Sequence, residues 1–491
     1  MVDAAGLPEE LSAFDMILHR GEANPRTRSG TMVLQFLDTT PEWGRFIAVF
    51  EHASRRVLRL RQKVVVPSMP TASPRWVVDP DFNLNFHVRR VHVPDPGTMR
   101  EVFDLAEVSF QSPLDISRPL WTATLVEGLE GGKAAVMVHM SHAVTDGVGA
   151  VEMFAHVYDL ERDPPQREPV PLPIPQDLTA NGLAREGLNR LPGNILGGIR
   201  GAVTSAAQVV GRLVKDPMSA VGGMVSYARS STRMISTTAE QSPLLRRRSL
   251  TSHSEAIDMR LGDIRAAAKA AEGSINDAYL AALCGALRLY HHELGMPIDT
   301  LPMGIPVNLR AEADPAGGNR FAGVMIDAPL GISDPAARIQ DVRTQMIKRR
   351  EEPAIDMISS IAPLLGLLPD PILGSIAESI VSADVQASNV PGYPGDTYIA
   401  GAKILREYGL GPLPGVAMMA VLISRGGMCT VTTRYDRASV TDHELWARCL
   451  LTGFNEVLAL GGRGRAAPVS LTVPIAPPLS QQPSRSGSSL S

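Results

Sequence analysis

The sequence predicts an α/β protein in two halves, and three observations carry that expectation. Apolar runs of strand length alternate with stretches whose apolar residues recur at three- and four-residue intervals. The chain's 491 residues are enough for two or three domains and a sizeable core. Residues 162 to 189, including Asp163-Pro-Pro-Gln and Pro169-Val-Pro-Leu-Pro-Ile-Pro, have the proline and charge content of an extended linker. The expected division is therefore 1–165, an N-terminal half; 166–245, linker and helical crossover; 246–465, a C-terminal half; and 466–491, a disordered tail rich in proline, serine and glycine.

Taken in order, Thr31 to Phe36 reads as a strand and Pro41 to Gln62 as an amphipathic helix carrying Phe46, Val49, Phe50 and Val57. Trp76-Val-Val and Asn85-Phe-His-Val-Arg-Arg-Val-His-Val supply two extended pieces, and Met99 to Phe110 is helical in pattern. Two prolines in Gln111 to Trp121 exclude a helix interior, so this stretch is read as a rigid loop entering a strand, Trp121 to Glu127. Ala134 to Met140 is almost continuously apolar, as in a strand buried on both faces. After it Val148, Val151, Phe154, His156, Val157 and Leu160 recur as on one helix face.

Leu191 to Lys215 forms an apolar stripe with added positive charge, suited to covering a hydrophobic opening or to lying on an anionic membrane; its glycines favour packing on its own protein. Beyond Arg246 the expected elements are a helix over Leu261 to Ala271, a second helix capped by Ser274 or Asn276, and strands over Met303 to Arg310 and Phe321 to Leu330. Asp334-Pro335 opens a further helix. Ile361 to Leu373 is apolar but broken by proline, suitable for lining a greasy channel. Ser388-Asn-Val-Pro-Gly392 reads as a tight loop, Met418 to Tyr435 as a hairpin around Arg425-Gly-Gly, and Thr441-Asp-His-Glu444 as a capping box.

Composition narrows the function. A net charge of −4 over this length gives no field for nucleic acid, and aromatic residues, at 5%, are not interleaved with basic patches. The three cysteines, Cys284, Cys429 and Cys449, form no Cys-x-x-Cys pair, which fits a reducing cytoplasm. The N-terminus lacks the pattern of a secretory signal, and no run of ~18 apolar residues suggests a spanning helix, so membrane contact would be peripheral.

The chemistry concentrates where the buried strand ends. His142 follows it directly, and the positive end of the next helix disfavours a second proton on its imidazole, leaving the neutral form a general base requires. Asp146 has two readings: it orients the imidazole, or it turns away and holds the loop through a buried ion pair. Gly147 permits backbone angles that a side chain forbids. A metal site built on His139, His142 and Asp146 matches no strong zinc pattern and lacks a fourth ligand, so none is expected. Trp121 is a core anchor or a substrate contact with equal weight.

Ser141-His-Ala-Val-Thr-Asp-Gly147 resembles the His-His-x-x-x-Asp-Gly motif of the coenzyme-A-dependent acyltransferase superfamily, with Ser141 in place of the first histidine. Pro119-Leu-Trp121, Asn276-Asp277, Pro306-Val-Asn-Leu-Arg310, Gly318-Asn319 and Ser388-Asn-Val-Pro-Gly392 resemble, in order, landmarks of the bacterial wax ester synthase/diacylglycerol acyltransferase family. The resemblance spans Leu11 to Leu460. It implies two chloramphenicol-acetyltransferase-like halves, each a mixed sheet flanked by helices, with a tunnel between them. Acyl-CoA would meet a fatty alcohol or diacylglycerol at His142, with no cofactor, giving wax ester or triacylglycerol. Asn276 is implied as a donor to the oxyanion, and Pro119, Leu120, Trp121 and Asn389 as substrate-binding. Contact with a membrane or lipid droplet is consistent with such an acceptor. The alternatives are the same fold with another acceptor, or a lipid-binding paralogue without activity.

For Asp146 the resemblance favours the structural role, paired with Arg310 across the two halves. Stranding one charge of such a pair costs on the order of 3 kcal/mol. Asp146→Ala is therefore expected to lower soluble yield and activity together, measured on the same preparation; a well-folded inactive variant would support the orienting role instead.

Overall fold

The computed structural model describes residues 8–69, 71–145, 149, 153, 155–190, 237–308, 321–350, 383–462 and 464–471. Its elements run α1 (Ala13–Gly21), β1 (Gly30–Leu37), α2 (Trp43–Arg56), β2 (Gln62–Val65), β3 (Arg75–Val78), the single turn α3 (Leu84–His87), β4 (Val88–His92), α4 (Met99–Gln111), β5 (Trp121–Leu129), β6 (Lys133–Ser141) and α5 (Ala180–Arg190). There follow β7 (Ser252–Arg260), α6 (Leu261–Ala270), α7 (Ile275–Glu293), β8 (Thr300–Asn308), β9 (Phe321–Pro329), α8 (Pro335–Arg350), β10 (Val385–Pro391), β11 (Tyr398–Ile399), β12 (Ala402–Leu410), β13 (Met418–Arg425), β14 (Met428–Asp436), α9 (His443–Ala459) and β15 (Val469–Ser470).

Two mixed sheets organise them, in the orders β11-β12-β1-β6-β5-β4 and β15-β7-β14-β13-β10-β8-β9, with β2 and β3 as a separate ribbon. The α/β fold in two halves is as expected. In the first sheet β6 is central, paired antiparallel with β1 and β5, and every residue after Lys133 is buried. That burial accounts for its unbroken apolar sequence. In the second half α7 and α9 pack closely against one another: a Cβ at Gly453 would lie 2.4 Å from the backbone nitrogen of Ala286, so only glycine admits this approach.

Local signals explain most boundaries. Thr98 and Glu101 form a capping box on α4, and Ser274 and Asp277 form one on α7, so Ser274 rather than Asn276 is the cap there. Asp334 accepts from the Ala337 amide at 2.8 Å and starts α8. Gly426 and Gly427 take positive φ in the β13–β14 turn, as a two-residue hairpin requires.

Several expectations are corrected. The helix after Pro41 starts at Trp43 and stops at Arg56, because Val57 turns extended and Leu58–Arg61 tightens into a 3₁₀ turn before β2. The proline-rich segment does not stay extended: α5 closes it, packing Leu183 against Val65 and Val77. Leu160 is exposed rather than part of a helix face. Ser388 to Pro391 is not a loop but strand, in parallel register with β13. Asp442, not Thr441, caps α9 by accepting from Leu445 at 2.9 Å. Val469 and Ser470 pair with β7, so strand pairing reaches into the expected tail. The stripe Leu191 to Lys215, the channel segment Ile361 to Leu373 and the tail beyond Leu471 lie outside the described residues.

The two halves are stitched together by β12. Its residues come from the C-terminal half, yet it pairs antiparallel with β1 from Met32↔Leu410 to Leu37↔Ile404. Side chains reinforce this seam. Arg406 Nε and the Tyr408 hydroxyl donate to Asp258 on β7 at 2.9 and 2.7 Å. Arg434 on β14 donates to the Glu107 carboxylate of α4 at 3.1 Å, with both residues 5% exposed. The Arg434 guanidinium also lies 3.9 Å from the Phe110 ring centroid.

Because both charges are withdrawn from water, removing one strands the other. Arg434→Met is expected to cost on the order of 3 kcal/mol, read as a lower urea midpoint, and Glu107→Leu/Arg434→Met to recover more than half of it.

Candidate active site

Ser141, the last residue of β6, is 1% exposed and faces Gly30 at the start of β1. His142, half-buried, follows in a turn whose other residues, Ala143 and Val144, are buried. Four hydrogen bonds hold this corner. The Ser141 amide donates to the Leu120 carbonyl at 3.1 Å, and the Val144 amide donates to the Ser141 carbonyl at 3.0 Å. The Ala143 amide donates to Ser141 Oγ at 3.2 Å, and that hydroxyl donates to Glu22 Oε1 at 2.7 Å. The peptide links on both sides of His142 are thus fixed.

Glu22 arrives from the end of α1 and is 3% exposed. Burial pushes its carboxyl above the usual range, against the opposing effect of hydrogen bonds from Ser141 and Ser29. Sequence reasoning passed over it, since Arg20-Gly-Glu-Ala-Asn is a polar run with no periodic signal.

The Pro119-Leu-Trp121 motif supports the same corner from behind. All three residues are buried. Trp121 Nε1 donates to the Leu60 carbonyl at 2.8 Å, and its ring stacks on His87 at 4.8 Å and on Phe50 at 6.2 Å between centroids. This placement favours the core-anchor reading of Trp121, while Leu120 acts on the site through its carbonyl.

Asn276 and Asn389, separate in sequence, meet: Asn389 Nδ2 donates to Asn276 Oδ1 at 3.4 Å. Asn276 sits in the first turn of α7 and Asn389 is an exposed residue of β10. The bond uses the Asn276 carbonyl oxygen as acceptor, so an oxyanion would be met by its NH₂ group. Asp146, Gly147 and Arg310 lie outside the described residues.

Against this geometry, the wax ester synthase/diacylglycerol acyltransferase catalytic domain matches residues 4–279, and the WS/DGAT C-terminal domain matches residues 317–457. The chain belongs to the WS/DGAT family. It is an acyltransferase of that family, and its sequence is 65% identical over 456 residues to a Mycobacterium tuberculosis protein whose name describes it as a diacylglycerol O-acyltransferase, covering 93% of each chain. The fold is similar to that of the wax ester synthase/diacylglycerol acyltransferase from Marinobacter aquaeolei, with a TM-score of 0.63 at 19% identity, covering 92% of this chain and 99% of that one. It is also similar to the starter condensation domain of rhizomide synthetase in complex with C8-CoA and Leu-SNAC, with a TM-score of 0.56 at 12% identity, covering 92% and 94%.

Two further histidines flank the corner of this WS/DGAT protein. Burial pushes His87 down to about 4, although its Nδ1 donates to the Trp121 carbonyl at 2.8 Å. His139 is also pushed down to about 4, by burial first and then by the charges of Arg434 and Arg28; its ring stacks on Phe110 at 5.1 Å. Unfolding lets each take up a proton below pH 6.5, its ordinary value, whereas the fold resists protonation until about 4. Their stabilising effect is therefore complete above pH 6.5 and lost as the pH falls from 6.5 to about 4, each by roughly 3 kcal/mol. Asp384, raised by burial from 3.8 to about 6, acts in the opposite sense over that range. The informative comparison is with a variant: in His139→Gln the urea midpoint is expected to fall less between pH 6.5 and 4 than in the wild type.

Proposed function

We propose that this acyltransferase moves a long-chain acyl group from acyl-CoA to the hydroxyl of diacylglycerol or a fatty alcohol, with His142 as general base. The observation that carries the reading is the corner just described. The motif histidine is half-buried at the end of a buried central strand, on a turn tied by hydrogen bonds on both sides. The co-structure of the rhizomide condensation domain with C8-CoA supports an acyl-CoA as donor for a chain of this fold.

An alcohol is too weakly acidic to attack a thioester unaided. The neutral His142 imidazole takes the hydroxyl proton as the oxygen bonds to the thioester carbon, and the tetrahedral intermediate expels the CoA thiolate, which receives that proton from the imidazolium. No acyl-enzyme intermediate is needed, and because the thioester carries the activation, neither is a cofactor. The Asn276 NH₂ group is the proposed donor to the developing oxyanion, and Asp146 the brace of the loop through Arg310. Apposing both substrates away from water lowers the entropic cost and suppresses hydrolysis.

The acceptors are apolar, so a cytoplasmic enzyme would meet them at a membrane or lipid-droplet surface. Among the described residues no helix is long and apolar enough to cross a membrane. The stripe Leu191 to Lys215 suits either such a surface or packing on its own protein, and its deletion followed by liposome flotation distinguishes the two: unchanged flotation excludes it as the contact.

The test is release of free CoA from palmitoyl-CoA by purified protein, with hexadecanol, dipalmitoylglycerol or ethanol as acceptor. Release is expected only with a long-chain acceptor, and to fall by about 100-fold or more in His142→Ala. No release with any acceptor would favour a lipid-binding role, and release with ethanol alone would change the acceptor class.

A further inference from the structure

We propose that Glu22 is a positioning residue for His142, acting through the Ser141 hydroxyl; the inference rests on the reading of His142 as the base. Ser141 has one hydroxyl proton, and the geometry commits it to Glu22 Oε1 at 2.7 Å. That leaves the oxygen lone pairs free to accept the Ala143 amide at 3.2 Å. One atom therefore links the carboxylate to the peptide immediately after His142, while the Ser141 amide and carbonyl are tied to Leu120 and Val144.

The carboxylate is itself held. The Ser29 hydroxyl donates to the same Glu22 Oε1 at 3.2 Å. Arg28 Nε donates to the Glu22 backbone carbonyl at 3.1 Å, and Arg28 Nη1 reaches the Gln111 carbonyl at 2.9 Å. The segment between α1 and β1 thus delivers Glu22 and Ser29 together to the end of β6. Gly30 lets that segment come close, since a Cβ there would lie 2.8 Å from His139 Nε2. Burying a carboxylate against two serine hydroxyls is expensive, and a neutral side chain would serve a merely structural corner. A charge-assisted bond is shorter and about twice as strong as a neutral one, which suits a turn that must hold an imidazole to within a few tenths of an ångström.

Serine here stands where the family motif has its first histidine. In this chain its hydroxyl supplies a donor to Glu22 at that position.

The test combines turnover on palmitoyl-CoA and dipalmitoylglycerol with the NMR signal of the His142 Cε1–H, identified by its loss in His142→Ala. Ser141→Ala is expected to lower kcat about 10- to 100-fold with KM for palmitoyl-CoA nearly unchanged, and to broaden or split the His142 signal. Ser141→Thr, which keeps the hydroxyl, is expected to restore both. Glu22→Gln keeps the volume and one acceptor oxygen, guards against a variant that fails to fold, and is expected to lose about three- to tenfold in kcat. Wild-type kcat and an unaltered signal in Ser141→Ala or, should that variant not fold, in Glu22→Gln would overturn the proposal. Full turnover in His142→Ala would instead overturn the base assignment, and the NMR signal would still report whether Glu22 and Ser141 position the ring.

Discussion

The pairing of β12 with β1 is the constraint on which the rest of the structure depends. Gln35 on β1 donates to Glu407 on β12 across 372 positions of sequence, so the N-terminal sheet is incomplete until most of the chain is available. The loop-closure entropy of such a contact grows only slowly with length, but it must be met before the contact stabilises anything. The side chains of β12 secure the strand from the other side. Arg406 and Tyr408 share Asp258, and Arg425 donates to Glu407 at 3.0 Å. Each bond joins the two sheets, so the halves gain stability as one unit.

The same seam determines where the corner that carries His142 sits. Its strand, β6, lies beside β1, and the residues that support the corner come from four directions: Leu120 from the entry to β5, Glu22 from α1, Ser29 from the lead into β1, and Phe110, stacked on His139, from α4. Phe110 is in turn covered by Arg434 from the second half. Packing at the interface between the halves therefore reaches the strand that leads into His142 through two stacked rings.

What could be read in the sequence divides along physical lines. The β6 strand, the helices α4 and α7 and the β13–β14 hairpin were legible because each is specified locally, by continuous apolar residues, capping residues or paired glycines. The strand β12 was not. Lys403, Arg406 and Glu407 break its apolar pattern, and their charges are matched by Asp396, Asp258 and Arg425, which lie apart from it in sequence or across the seam. The strand at Ser388 was hidden for a related reason: serine, asparagine and proline favour turns, and only the parallel register with β13 makes them strand. The place of His142 just after a buried strand was legible from the apolar run that precedes it. Glu22 was not, because a buried carboxylate is defined by its partners, and those partners are Ser29 and Ser141.

That mutual dependence also explains how serine can occupy position 141. A carboxylate buried to 3% exposure must be hydrogen-bonded or it raises the free energy of the fold. Of its two hydroxyl donors, Ser141 is the one attached to the turn that carries His142, so a side chain at position 141 that cannot donate leaves Glu22 with one hydroxyl bond fewer. The turn imposes a second demand, an acceptor for the Ala143 amide close to the strand end. A hydroxyl on a one-carbon stem meets both demands with a single atom, whereas alanine meets neither. The departure from the motif is thus compatible with a well-defined turn as long as Glu22 stays buried and paired, which ties the geometry of His142 to a residue 120 positions away by number but one hydrogen bond from its neighbour.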